Sequence, residues 1–291
     1  MRYFISIILV SIPLLLTFYA WKTVSQNIYN ENLTHFQSLA HESEKALIHK
    51  MDSYNSALLG GAGFFKGFDD VTPPEWKTYI TAINPQKSFP GVNGFGFINN
   101  VKPENIDVFK QQGRNMYGEF EITPETQDLP YYIITFIEPL NINEKALGLN
   151  IGFENNRREA AALSRDTGET ALTKRIILVQ DSEQTPGFLL LHPLYKTQQM
   201  PATVQGRQDN IRGWIYAPLI AKNFLHDLTR MQGNSFHLSV YDGVEEDPDA
   251  LIYKSNDLEY THEPKFIVRK ELNIMQQKWL VVWKSSLSFE Q

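Results

Sequence analysis

Cysteine is absent from all 291 positions of the sequence. Without thiols the chain forms no disulfide bond, no thiolate metal site and no cysteine nucleophile. The absence fits an oxidising compartment but does not indicate one. Since 42% of the residues are hydrophobic, the chain is long and apolar enough to stabilise its fold through buried cores.

Motifs that carry catalysis or cofactor binding are also missing. The seven histidines show no HExxH spacing, no GxSxG elbow is present, and Gly91, Gly94 and Gly96 do not form GxGxxG. We interpret these glycines as positions of close packing, with close approach of a ligand as the alternative. The sequence therefore predicts no metal, no cofactor and no catalytic residue, which favours a protein that is not an enzyme.

Positive charge is neither abundant nor clustered. The formal net charge is −6 at pH 7, and no run of basic residues is present. Because nucleic-acid binding depends on lysines and arginines that neutralise phosphates, a nucleic-acid partner is excluded on this pattern.

The longest apolar run lies at the N-terminus. Residues 3–21 contain no charged side chain and are flanked by Arg2 and Lys22. Nineteen residues of helix span roughly 28 Å, close to the thickness of the hydrocarbon core of a bilayer. We predict a single transmembrane anchor at residues 1–21 in the inner membrane, with the bulk of the chain extracytoplasmic. A cleaved signal peptide is the alternative, although the sequence before Trp21 lacks a small-x-small cleavage pattern.

The apolar run within the C-terminal residues 279–291 is too short to cross a bilayer. Two interpretations stay open. The chain either stops before a second transmembrane helix or is a stand-alone form, and the sequence analysis favours the first.

Residues 22–59 contain neither proline nor glycine, and their apolar residues recur mostly at steps of three to five. This spacing predicts a long amphipathic helix. Such a helix either packs on its own domain or forms a dimer contact. Ser43 interrupts the apolar pattern, which disfavours a strict coiled coil.

Turn residues divide the rest of the chain into short elements. The predicted helices cover residues 72–83, 103–112, 154–164 and 220–231. The predicted strands cover residues 92–101, 117–122, 131–137, 146–153, 170–179, 188–191, 211–219, 236–242, 250–255, 266–272 and 277–285. We expect antiparallel pairs between residues 117–122 and 131–137, and between residues 176–179 and 188–191.

Capping residues mark several helix ends. Thr72 is the predicted N-cap of the first short helix, and Asn155 or Asn156 that of the third. Gly113 and Gly168 are the predicted C-terminal residues of the second and third helices, since glycine adopts the left-handed conformation readily. The order of elements predicts an α+β protein of PAS-like type with a second small sheet.

Several motifs occur in a consistent order along residues 58–217. The central ones are Phe136-Ile137-Glu138-Pro139, Ala146-Leu147-Gly148, Arg157-Arg158, and Asp166-Thr167-Gly168 followed by Ala171-Leu172-Thr173. Others flank them, namely Gly61-Ala62-Gly63-Phe64-Phe65, Pro90-Gly91-Val92 and Gly187-Phe188-Leu189-Leu190. Together these residues resemble the CHASE domain.

This resemblance implies an extracytoplasmic sensor of the kind found on membrane histidine kinases and cyclases, including plant cytokinin receptors. It implies a long N-terminal helix that carries two PAS-like antiparallel-sheet lobes. We expect an anchor at residues 1–21, a signalling and dimerisation helix at 22–59, a membrane-distal lobe at 60–204 and a membrane-proximal lobe at 205–285. The signal would pass to a cytoplasmic kinase or cyclase that this chain does not contain.

A PAS-like sheet can enclose an apolar pocket between its concave face and the flanking helices. The predicted wall residues are Phe95, Phe97, Tyr132, Ile134, Leu172 and Leu190, although side chains in strands are also explained as simple core. Asn150 lies between apolar Leu149 and Ile151 and is the predicted polar group of the pocket.

The resemblance adds roles to three residues. Asn150 matches an aspartate that binds the adenine ring in cytokinin receptors, Leu172 matches a residue whose backbone faces the ligand, and Ser182 lies near a hydroxyl-bearing position. An amide both donates and accepts hydrogen bonds, whereas a carboxylate only accepts them. We therefore expect an adenine-like ligand in a different tautomer, or another ligand.

The predicted function is that of a small-molecule sensor domain of a membrane receptor. Its expected partners are a small organic ligand, the inner membrane and a second copy of the chain bound through the long helix. The alternative is a ligand-free dimerisation or protein-interaction module at the membrane.

Overall fold

The computed structural model of the protein describes residues 2–68, 70–126, 130–181, 183–230, 235–255 and 263–291. Within these ranges it describes the side chains from residue 12 onward, apart from those of residues 229 and 230. Ser182, one of the predicted site residues, lies outside the described residues.

Helix α1 (Arg2–Gly67) confirms the long predicted helix and continues beyond residue 59. Its 66 residues span about 100 Å at 1.5 Å per residue. The side chains that it buries against the rest of the fold recur every three or four residues and are Phe36, Ala40, Ser43, Leu47, Met51, Tyr54, Leu58, Ala62 and Phe65. Ser43 thus belongs to this packed face. Among the described residues, no helix is sufficiently long and apolar to cross a membrane.

The first lobe is built on an antiparallel sheet whose strands differ in length. Its strands are β1 (Phe95–Val101), β2 (Tyr131–Glu138), β3 (Ala171–Leu172), β4 (Ile176–Ile177), β5 (Pro186–Tyr195) and β6 (Ile211–Ile220). The order across the sheet is β2-β1-β6-β5-β3, and β4 also pairs with β5. The predicted lobe boundary at residues 204/205 would place strand β6 in the second lobe. In the structure β6 is an inner strand of the first sheet.

The helices of the first lobe connect or cover these strands. They are α2 (Pro73–Ile83), α3 (Pro85–Ser88), α4 (Ile106–Tyr117), α5 (Asn155–Thr167) and α6 (Val204–Asn210). Helix α2 confirms the predicted start, because the backbone N–H and the hydroxyl of Thr72 both donate to the Glu75 carboxylate. Helix α5 ends at Gly168, as predicted, but its N-cap is Glu154 and neither asparagine.

The second lobe follows helix α7 (Ala221–Arg230). Its strands are β7 (Phe236–Asp242), β8 (Leu251–Lys254), β9 (Ile267–Ile274) and β10 (Gln277–Ser285), followed by the short helix α8 (Leu287–Glu290). They form an antiparallel sheet in the order β8-β7-β10-β9, which confirms the second small sheet. The fold is therefore α+β, with one long helix carrying two PAS-like antiparallel sheets.

Two predicted elements near residue 120 are wrong. Helix α4 runs through Gly113 to Tyr117 and ends before Gly118, which has a φ of 80°. Gly113 lies against the ring of Phe120, so its small size serves packing rather than helix termination. The strand predicted at 117–122 does not form, and β2 pairs with β1 instead.

Two further predicted strands differ from the structure. In place of the strand predicted at 146–153, residues 144–153 contain two 3₁₀ turns (Glu144–Ala146 and Ile151–Phe153) around isolated bridges at Leu149 and Asn150. Gly148, with a φ of 79°, prevents a continuous strand there. The predicted strand 170–179 is divided into β3 and β4, and β4 confirms the predicted hairpin with β5.

The first sheet has a separate apolar core on each face. One face packs against α1 and shares its core with the second lobe. The other face is covered by α5, and its buried residues include Tyr132, Ile134, Trp214 and Tyr216. The first sheet is thus enclosed between two helical layers.

The two lobes also contact each other directly through the turn between β9 and β10. The N–H of Leu172 donates to the carbonyl of Met275 at 2.9 Å. The Gln276 amide donates to the carbonyl of Thr170 at 3.1 Å. Strand β3 and the residue before it are therefore hydrogen-bonded directly to the second lobe.

Candidate ligand-binding site

The predicted wall residues lie on both faces of the first sheet. Phe95, Phe97, Leu172 and Leu190 belong to the core that faces α1, whereas Tyr132 and Ile134 belong to the core under α5. This division follows from the alternation of side chains along a strand. The structure therefore does not bring the six residues together around one cavity.

On the α1 side the predicted wall residues are tightly packed. Phe97 stacks on Phe65 of α1 with ring centroids 4.6 Å apart. Leu172 and Leu190 are both fully buried and lie opposite each other in the pairing of β3 with β5. On this face, the described side chains act as core.

Asn150 is fully buried, and its side chain is fully engaged by the protein itself. Its oxygen accepts hydrogen bonds from the N–H groups of Tyr132 at 3.0 Å and Gly152 at 3.1 Å. Its nitrogen donates to Thr126 Oγ1 at 3.3 Å and to the Pro124 carbonyl at 3.4 Å. The amide therefore joins the edge of β2 to the loops beside it.

Helix α5 and strand β6 form the centre of the other face. The Trp214 indole donates to the carbonyl of Ala161 at 3.0 Å, and the rings of Trp214 and Tyr132 lie 4.6 Å apart. Arg157 precedes Ala161 by one helical turn, and Tyr216 follows Trp214 by two strand positions. Because of these two periodicities, Arg157 and Tyr216 face the same layer.

Arg157 is a buried cation at the start of α5, with 5% of its surface exposed. Its Nη2 donates to the carbonyl of Ile177 at 2.8 Å. Its Nε lies 3.8 Å from the Glu154 carboxylate and has no hydrogen-bond partner among the described residues. Burial lowers the pKa of Arg157, and the Glu154 charge opposes that effect.

Glu154 neutralises Arg157 only in part, because its carboxylate is engaged elsewhere. It accepts hydrogen bonds at 3.0 Å from the N–H groups of Asn156 and Arg157, which makes it the N-cap of α5. Its side chain is also 31% exposed, so water screens its charge.

Tyr216 is the second buried polar group of this layer, with 1% of its surface exposed. Its hydroxyl oxygen has no hydrogen-bond partner in the described part of the chain. Burial raises the pKa of Tyr216, while the Arg157 charge lowers it. The hydroxyl is therefore protonated at neutral pH and available as a donor.

Gly96 of β1 explains how the Tyr216 ring fits. A Cβ at position 96 would overlap both the Phe136 carbonyl and the Tyr216 ring. The packing interpretation of this glycine is thus the one that the structure supports. Trp214, Tyr216 and Arg157 were not predicted as site residues, although two aromatic residues at alternate positions of a strand indicate a shared face.

An open cleft lies on the surface near Asn150, with a volume of about 860 Å³. Its lining includes Thr123, Leu149, Glu119, Glu121 and Lys145. None of the six predicted wall residues lines it, and it carries charges of both signs.

Two antiparallel sheets on one long helix define a PAS-like sensor fold. An extracellular ligand binding receptor from Desulfohalobium retbaense DSM5692 superposes with a TM-score of 0.54 at 8% identity, over 87% of this chain and 40% of that chain. A methyl-accepting chemotaxis protein X superposes with a TM-score of 0.52 at 11% identity, over 89% of this chain and 98% of that chain. At such identities the likeness shows the fold alone.

The family follows from the sequence profile. The profile of the CHASE domain matches residues 69–253, and the chain belongs to the CHASE domain family. A CHASE domain is an extracellular sensor domain and not a catalytic one. No curated protein matches the chain by sequence.

Proposed function

We propose that the chain binds a small organic molecule in its first lobe and passes the signal to a cytoplasmic histidine kinase or cyclase. The observation that carries this proposal is the family match, whose residues 69–253 include the whole first sheet. The buried polar groups beneath α5 support a binding role, because polar atoms without partners are rare inside proteins. An adenine-like compound is one candidate ligand.

Thermal unfolding of the full chain in a mild detergent tests this proposal. The panel comprises purines, cytokinin-like adenines, amino acids and small organic acids. A compound at a hundred times its dissociation constant stabilises the folded state by about 2.7 kcal/mol, which raises Tm by about 5 °C or more. A saturable shift would support the sensor, whereas no shift with any compound would favour the ligand-free interaction module.

We also propose that residues 3–21 hold the chain at the membrane, with both lobes outside the cytoplasm. The described side chains of this segment support the proposal, since its large apolar side chains are exposed, namely Ile12, Leu14, Leu15, Leu16, Phe18, Tyr19 and Trp21. Carbonate extraction of membranes tests it. The full chain should stay in the membrane fraction, and a variant without residues 1–21 should leave it.

A homodimer through α1 is the third part of the proposal. Most of the apolar face of α1 packs on its own lobes, but Val24 and Ile28 are 56% and 53% exposed. The dimer contact is therefore expected near these two residues.

Because the chain lacks cysteine, single substitutions give a clean test by disulfide cross-linking. Val24→Cys and Ile28→Cys should yield covalent dimers under mild oxidation. Gln26→Cys is the matched control, since it lies at the same height on the opposite side of the helix. Equal cross-linking at all three positions would contradict a defined interface.

A further inference from the structure

In the described part of the first lobe, three buried hydrogen-bond donors have no partner in the protein, namely Arg175 Nε, Arg157 Nε and Tyr216 Oη. Arg157 and Tyr216 form a pair beneath α5. A buried donor without an acceptor costs about 1–3 kcal/mol, and more when it is charged. Both groups lie in the layer between α5 and the first sheet. Two such costs in one layer, close enough for the charge of Arg157 to oppose the rise that burial causes in the pKa of Tyr216, point to a group that enters the layer and accepts both hydrogen bonds.

The charge of this layer identifies the kind of acceptor. Arg157 carries a full positive charge, and the Glu154 carboxylate at 3.8 Å caps the helix and is partly exposed. The N-terminal turn of α5, in which Arg157 lies, adds further positive potential. A protonated phenol and a guanidinium both donate, so the matching group is an anion.

The surroundings of the pair are apolar. Buried residues in the same core include Tyr132, Ile134, Trp214, Leu189 and Leu191. A ligand that reaches the pair would place its remaining atoms against aromatic rings and aliphatic side chains. The chemistry of the layer therefore combines one anionic group with an apolar body.

Access to the pair lies beside strand β4. The Ile177 carbonyl accepts the hydrogen bond from Arg157, while 38% of the Ile177 residue is exposed to solvent. Arg157 is thus a single layer below the protein surface. Separation of β4 from the start of α5 would open a route to Arg157 and, beyond it, to the layer that contains Tyr216.

We propose that the first lobe recognises small apolar carboxylates, whose carboxylate accepts hydrogen bonds from Arg157 Nε and Tyr216 Oη. This inference rests on the proposed sensor function and specifies its ligand class. The apolar part of the ligand would pack beside Tyr132 and Trp214. An Arg–carboxylate hydrogen bond is charge-assisted, which makes it stronger than a neutral one.

Matched pairs of compounds test the charge requirement. Isothermal titration of the full chain in detergent uses benzoate against benzamide, phenylacetate against phenylacetamide, and hexanoate against hexanamide. At least one carboxylate should bind saturably, and its neutral amide should bind at least tenfold more weakly. Equal affinity for a carboxylate and its amide would overturn the inference and leave the sensor function standing.

Variants test the two residues. Tyr216→Phe should weaken carboxylate binding about tenfold, since a hydrogen bond to a charged group is worth about 1.5–3 kcal/mol. Arg157→Met should abolish binding. Tyr216→Phe removes only an unpaired hydroxyl, so it keeps the test valid even if Arg157→Met does not fold.

Control variants remove similar groups that already have hydrogen-bond partners in the protein. Arg158→Met removes a guanidinium that donates to the Gly152 carbonyl at 2.8 Å, and Tyr195→Phe removes a hydroxyl that donates to the Arg165 carbonyl at 2.6 Å. Both should bind the carboxylate as the wild-type chain does. Unchanged affinity in Tyr216→Phe would overturn the inference, and binding of neutral compounds alone would do the same. If no compound of any charge binds, both the inference and the sensor function fail.

Discussion

Asn150 is a buried amide whose side chain makes its hydrogen bonds within the protein. The matching of this position to a ligand-binding aspartate led to the expectation of a direct ligand contact. Its observed partners are two backbone N–H groups, one carbonyl and one hydroxyl. The structure therefore supports a role for Asn150 in holding the loops of the first lobe, and its contact with a ligand stays a prediction.

Replacement of Asn150 by leucine should destabilise the fold. The change removes the acceptor of two buried N–H groups, those of Tyr132 and Gly152, together with two hydrogen bonds that the amide nitrogen donates, and we expect the free energy of unfolding to fall by about 3 kcal/mol or more. Urea denaturation measures this. Asn115→Leu on the exposed face of α4 is the matched control and should change stability little. Equal stability of the two variants would contradict the structural role.

Gly96 permits the Tyr216 ring to lie against β1. In Gly96→Ala, the new methyl group would overlap the Phe136 carbonyl, which cannot move without disturbing the strand pair. We expect stability to fall by about 1–3 kcal/mol. Gly63→Ala on helix α1 is the control, because a Cβ at this position would meet no atom within 4 Å. This substitution should stabilise the helix by about 0.5–1 kcal/mol. A thermal melt of each variant distinguishes the two effects.

His192 gives the first lobe a dependence on pH. Its Nδ1 lies 3.0 Å from Thr170 Oγ1, which donates to Asn55 of α1. Burial, with a smaller effect of Lys66, lowers the pKa of His192 from 6.5 to about 4. The unfolded chain therefore binds a proton between these pH values and the folded chain does not.

Stability should consequently be complete above pH 6.5 and decrease as the pH falls towards 4, by up to about 3 kcal/mol. Chemical denaturation at several pH values measures this decrease. His192→Gln removes the titrating group, so its stability should depend less on pH in this window. Parallel pH profiles of the variant and the wild-type chain would show that His192 is not responsible.

At the scale of elements, local signals predicted the helices best. Thr72 with Glu75 and the glycine at 168 mark ends that depend on neighbouring residues alone. Strand pairing depends on contacts between residues that are distant in sequence, and for this reason fewer of the strand pairs were predicted correctly. The pattern of residues 117–122 is typical of a strand, and it was predicted to pair with β2. In the structure β2 instead pairs with β1 on one side and forms isolated contacts with the Leu149–Asn150 segment. The apolar run at 146–153 was misleading because its glycines serve tight turns.

The turn between β9 and β10 is the element that joins the lobes at β3. Met275 and Gln276 have φ values of 45° and 67°, and the Gln276 side chain reaches Thr170 and Thr167. Gln276→Asn suits the left-handed backbone but is one carbon too short for these contacts. We expect stability to fall by about 1 kcal/mol and the Leu172 amide to exchange faster.

Hydrogen exchange followed by mass spectrometry measures the second effect. Gln111→Asn on α4 is the control, since the Gln111 side chain bonds only to Asn115 of the same helix among the contacts described. If Gln276→Asn leaves exchange at β3 unchanged, the turn does not couple the lobes.

For the whole molecule, the sequence predicted the class of fold and the family, but not the location of the unsatisfied polar groups. The six wall residues were chosen as apolar positions in strands, and a strand pattern alone does not say which face each one takes relative to a helix distant in sequence. Arg157 and Tyr216 are 59 positions apart and share a layer only because α5 packs over the first sheet. One long helix, α1, packs against both sheets, so the proposed signal between the lobes is expected to pass along it.

The central claim is that the layer between α5 and the first sheet binds the ligand. A crystal structure of the chain with the compound that raises Tm most tests it directly. We expect that compound to lie within hydrogen-bond distance of Arg157 and Tyr216, with β4 displaced from the start of α5. A compound bound in the open cleft beside Leu149, or on the second lobe, with the α5 layer unchanged, would contradict the claim.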